Sequence, residues 1–75
     1  MMSDADFLFS ELRWMKGYWV SHSMILARSV MDRGVGMTVH SRASDLRARG
    51  HKIECDVRTV DGRRKSFYRL TEEAQ

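Results

Sequence analysis

The stretch "HKIECDVRTVDGRRKSFYRL", His51 to Leu70, decides the fold. Its apolar residues alternate with polar ones, which is the period of a strand and not of a helix. Asp61-Gly62 breaks the alternation near its middle, and this dipeptide suits a two-residue type I′ turn, whose central residues both need positive φ. A register follows. Val60 faces Arg63, Arg58 faces Lys65, Val57 faces Ser66, Asp56 faces Phe67, Cys55 faces Tyr68, Glu54 faces Arg69, and Ile53 faces Leu70. One face then collects Ile53, Cys55, Val57, Tyr68 and Leu70, with Cys55 read as a small core residue, while the other face pairs Glu54 with Arg69. A slip of one residue would put the apolar set into water.

Immediately before the hairpin, "VHSRASDLRARGH" (Val39 to His51) has a helical period. Thr38 or Val39 opens this helix and Gly50 closes it. Val39, Ala43 and Leu46 fall within about 60° of one another at 100° per residue, which makes an inward seam. Opposite them lie Ser41, Ser44 and Ala48, bordered by His40 and Arg47 on one side and by Arg42, Asp45 and Arg49 on the other. The outer face is narrow, smooth and edged with cations.

Further upstream, Ser3 or Asp4 caps a first helix reaching about Lys16, with Leu8, Leu12 and Met15 as its buried stripe and Gly17 as its stop. Phe7 and Trp14 share one flank of that stripe and Phe9 the other. "YWV" (18–20) is long enough only for a brief pairing with a sheet edge. Ser21 or Ser23 caps a second helix running through Met31 or Asp32, with Leu26, Ala27, Val30 and Met31 turned inward. "RGVG" ends it, since Gly34 and Gly36 can both take positive φ. These elements predict an α+β fold in a single domain over 1–75, ordered from about 4 to 71. Three helices precede a C-terminal two-stranded β-hairpin, which is the order of a winged helix-turn-helix.

Composition sets bounds on function. A chain of 75 residues holds one small core and no room for a deep catalytic cleft. Its longest apolar runs are a few residues, so nothing spans a bilayer or reads as a signal peptide, and the expected location is cytoplasmic. The single Cys55 and the scattered His22, His40 and His51 offer no disulfide, metal site or nucleophile pair. No enzyme, cofactor, metal or small-molecule substrate is expected. The net charge of +3 is unevenly spread: residues 1–37 balance to zero, and the excess belongs to the C-terminal half. That asymmetry points to a polyanionic partner.

The motif "VHSRASDLRARGHKIE", followed by "YRL", resembles a family of small winged helix-turn-helix domains common in bacteriophages and bacteria. The family signature is Ser-Arg-x-x-x-Leu-Arg-x-x-Gly-His-x-Ile-Glu, a hairpin, and Tyr-Arg-Leu. Ser41, Arg42, Leu46, Arg47, Gly50, His51, Ile53 and Glu54 match it, then Tyr68, Arg69 and Leu70. The resemblance implies a DNA-binding regulator of transcription or phage functions, working in the bacterial host cell if phage-encoded.

The residues themselves support double-stranded DNA as partner. A major groove admits one helix, and small outer side chains let its backbone approach the bases. Thr38, His40, Ser41, Arg42, Ser44 and Arg47 are the candidate reading residues, although Asp45 is placed to neutralise Arg42 along the helix. Arg58, Arg63, Arg64 and Lys65 crowd the hairpin tip and suit phosphates. The other reading of those cations is protection of a sheet edge. A second function is a protein-interaction module on the same scaffold, either a homodimer or an adaptor or inhibitor of a host protein, with Phe7, Trp14 and Phe67 as its surface.

Overall fold

The computed structural model describes residues 2–74. Along the chain the elements are α1 (Asp4–Trp14), β1 (Val20–Ser21), α2 (His22–Arg33), α3 (Val39–Ala48), β2 (Lys52–Val60) and β3 (Arg63–Glu72). This is a small α+β domain of three helices and a three-stranded antiparallel sheet of order β1-β3-β2. The hairpin expected from the sequence therefore gains a short third strand, with Val20 opposite Tyr68 and Ser21 opposite Phe67.

Local chemistry fixes the element ends. The Ser3 hydroxyl accepts from the Asp6 N–H and the Ser21 hydroxyl from the Met24 N–H, each satisfying one orphan donor of a first turn. Gly34 closes α2 in the left-handed region at φ 75°, which only glycine enters without strain. Gly36, also expected at positive φ, is not. Asp61 and Gly62 have φ of 52° and 77°, as a type I′ turn demands. The β2–β3 register is the one dictated by that turn, from Val60 opposite Arg63 to Ile53 opposite Leu70. The Glu54–Arg69 pair forms across it, with Arg69 Nε 2.8 Å from Glu54 Oε1.

The core is Leu8 and Leu12 of α1, Val20, Ile25 of α2, Val39, Ala43 and Leu46 of α3, and Ile53, Tyr68 and Leu70 of the sheet. Four expectations need correcting. Met15 lies at the rim, 36% exposed. On α2 the inward residues are Ile25 and Ser29 with half-buried Leu26, whereas Ala27, Val30 and Met31 face outward. Phe7 is buried rather than paired with Trp14, and the Arg33 guanidinium covers its ring at 4.8 Å. Cys55 and Val57 lie on the helix-facing side of the sheet but are exposed. Lengths explain this last correction: a nine-residue strand runs about 30 Å, whereas a ten-residue helix runs about 15 Å. The hairpin overshoots the helical layer, giving a longest dimension of 38 Å.

Ser29 is fully buried and polar, and its partners show why it is tolerated. Its hydroxyl donates to the Val35 carbonyl at 2.6 Å and accepts from Arg33 Nε at 3.2 Å, while Arg33 Nη2 reaches Asp4 at 2.6 Å. This chain ties the start of α1, the end of α2 and the turn leading to α3. The Ser29→Ala variant strands a carbonyl and a guanidinium N–H, so it is expected to lose about 1–3 kcal/mol in urea denaturation. A loss within error of zero would mean that the hydroxyl holds nothing.

Candidate nucleic-acid interface

The outer face of α3 emerges from the packing of its inner one. Val39, Ala43 and Leu46 are fully or almost fully buried, so the opposite side of the helix points to solvent. Thr38, the N-cap, is exposed and makes no side-chain cap. His40 and Ser44 are exposed, and Ser41 is half-buried. Thr38, Ser41 and Ser44 are short side chains, which allow a close approach to the helix backbone on this face.

The two arginines of this helix are placed differently. Arg47 donates from Nε to the Ile53 carbonyl at 2.9 Å, which ties α3 to the start of β2. Arg42 Nε lies 3.2 Å from Asp45 Oδ2. Its N–H is not aimed at that oxygen, and this buried nitrogen has no hydrogen-bond acceptor among the described residues. Asp45 thus neutralises Arg42, as the three-residue spacing suggested, without fully satisfying it.

Arg58 is not part of an open cationic tip. Its Nε is 2.7 Å from Asp56, and its guanidinium lies 4.7 Å from the Phe67 ring centre and 5.2 Å from that of Trp19. Arg69 covers Trp19 as well, at 4.4 Å. These stacked cations and rings cover the side of the sheet that no helix covers. Phe67, offered by the sequence as a protein contact, is half-buried in that layer. Of the three aromatic residues in that expectation only Trp14 is free, at 83% exposure. The signal that could have found the layer is cross-strand: Arg58 lies one step diagonally from Phe67, within reach of a long side chain.

Ion pairs engage Arg13, Lys16, Arg28, Arg33, Arg42, Arg49, Lys52, Arg58 and Arg69. Among the described residues, the cations left without a carboxylate partner are Arg47, Arg63, Arg64 and Lys65. All four fall on α3 or on the hairpin tip. By strand alternation Arg64 shares the helix-facing side of the hairpin with Ile53, to which Arg47 is bonded, and Arg63 and Lys65 occupy the other side. The tip therefore presents positive charge on both faces. From Ile53 to Thr59, opposite Arg64, is six residues, or about 20 Å of strand.

Tyr68 sits between the two cationic elements, buried and opposite Cys55. Burial pushes its hydroxyl above its ordinary pKa, with the neighbouring Cys55 adding to the rise. No group of metal-ligating side chains occurs among the described residues, and no helix there is long and apolar enough to cross a membrane. Comparison of the chain with protein-family models, curated proteins and solved structures gave no match.

Proposed function

We propose that this chain is a DNA-binding protein of the winged helix-turn-helix type, a small transcriptional or phage regulatory factor. The second and third helices form the helix-turn-helix, α3 enters the major groove, and the β2–β3 hairpin is a wing lying along phosphates. The single observation behind this reading is the distribution of charge. Carboxylates neutralise the cations elsewhere, and those without such partners remain on the two elements that would touch a duplex. Like charges at a hairpin tip repel one another slightly, and Asp61 is the only acid among residues 57–71. A phosphate backbone compensates for that repulsion by releasing counterions.

In this arrangement Ser44, His40 and Ser41 meet base edges, and Thr38 and Arg42 meet the backbone at the groove entrance. Arg47 holds α3 to the hairpin through Nε and offers the rest of its guanidinium to guanine or phosphate. Its spacing from the tip, about 20 Å, corresponds to roughly six base pairs of 3.4 Å each, so one copy covers a short site. The test is electrophoretic mobility shift on mixed-sequence duplex at low salt and then at rising salt. A shift that weakens steeply with salt supports the reading, and no shift at low salt overturns it. Ser44→Ala is expected to change the preferred sequence more than the total affinity, measured by selection from a random duplex pool.

A further inference from the structure

Helix α2 is apolar on two sides. Ile25, Leu26 and Ser29 face the core, while Met24, Ala27, Val30 and Met31 form a second stripe on the outer side. Met24, Val30 and Met31 are 51%, 53% and 82% exposed. At 100° per residue the stripe spans an arc of about 120°, the width of a face made to be buried. This chain covers one side only. Trp14 extends the patch: it lines one surface concavity together with Arg28, which borders the stripe. The Glu11–Arg28 and Asp4–Arg33 pairs run α1 antiparallel to α2, which brings Trp14 toward the Met24 end.

We propose that a second copy of this chain covers the stripe, the two α2 helices packing antiparallel across a two-fold axis. The stripe is self-complementary in shape. Small Ala27 lies one turn from bulky Met31, so an antiparallel pair sets Met31 of each copy against Ala27 of the other. Charge does not oppose the pairing, because Arg28, which borders the stripe, is already held by Glu11 at 2.7 Å.

The area is sufficient but small. Burying Trp14, Met24, Val30 and Met31 removes on the order of 500 Å² per copy, and a pair then reaches the roughly 1,000 Å² that a specific interface must clear. Association is therefore concentration-dependent. The stripe contains no outer residue of α3 and none of the hairpin tip, so both remain available. Two copies would present two reading helices to a two-fold DNA site. That use rests on the DNA-binding reading, whereas the dimer does not.

Light scattering on the full chain without DNA, over a concentration series, tests the proposal. The expected mass rises from 8.8 kDa toward twice that value. Met31→Asp, at a position too exposed to unfold the domain, should hold the mass at 8.8 kDa with an unchanged circular dichroism spectrum, and Met31→Leu should restore the rise. A wild-type mass fixed at 8.8 kDa throughout, or a rise that Met31→Asp leaves intact, overturns the dimer. On a duplex with two inverted sites Met31→Asp should lose on the order of a hundredfold in apparent affinity. A wild-type dimer, abolished by Met31→Asp, that shifts no DNA would support the dimer and overturn the DNA-binding reading alone.

Discussion

Replacing Arg63, Arg64 and Lys65 together with alanine is expected to weaken binding to all duplexes alike. The log-log salt slope should flatten by up to about 2.7, at roughly 0.9 for each phosphate no longer neutralised. At low salt the loss of affinity should be on the order of tenfold or more, the same for a preferred and an unrelated sequence. The reason is positional. These three side chains lack carboxylate partners and are exposed, beyond the end of the core, so removing them costs no ion pair and uncovers no buried group. The fold should tolerate the change, and relief of the Arg58–Lys65 repulsion across the hairpin should leave the unfolding midpoint level or slightly higher. Mobility shifts at several salt concentrations, with thermal unfolding of the same sample, separate the two effects. An unchanged slope would assign the cations to edge protection and remove the wing from the interface.

How much of this was legible in the sequence depends on how many independent signals met at each residue. The hairpin register could be read in full, because the period-2 pattern, the Asp61-Gly62 turn and the Glu54–Arg69 pair all specify the same alignment. The inner seam of α3 was equally clear, since Val39, Ala43 and Leu46 are its apolar residues apart from the outward Ala48. Helix α2 was not. It carries apolar residues on both sides, and hydrophobicity alone favours Val30 and Met31 over Ser29, although the monomer buries Ser29 and exposes the other two. What decides the matter is a polar network through Arg33 and the Val35 carbonyl, which no periodicity encodes.

The tip cations illustrate a different limit. Sequence order puts Arg58 beside Arg63, Arg64 and Lys65, but Trp19, just before β1 and some forty residues earlier, draws the Arg58 guanidinium onto the sheet face that no helix covers. Cys55 was misplaced for a related reason. Alternation tells which face of a strand a residue occupies, and only the lengths of the opposing elements tell whether anything covers that face.

The second large effect concerns the core that aims α3. Leu46 is fully buried in the cluster that includes Leu8, Leu12 and Leu70, so it joins α3 to both α1 and the sheet. Leu46→Ala is expected to cost about 2–5 kcal/mol, through reduced burial and the cavity left behind. A chain of this length is stabilised by only about 4–11 kcal/mol at 0.05–0.15 kcal/mol per residue, so the loss is a large share of the whole. Urea denaturation measures it directly, and the thermal midpoint should fall by roughly 10 °C or more. Leu46→Met, which keeps the volume, should cost less than about 1.5 kcal/mol. The pair of variants also separates folding from recognition. Arg47 reaches the Ile53 carbonyl only while Leu46 holds α3 down, so in the alanine variant any DNA affinity that survives in the folded fraction should lose sequence preference before it loses salt dependence. An alanine variant as stable as the wild type would mean that α3 is not docked through this residue, and the placement of its outer face would fall with it.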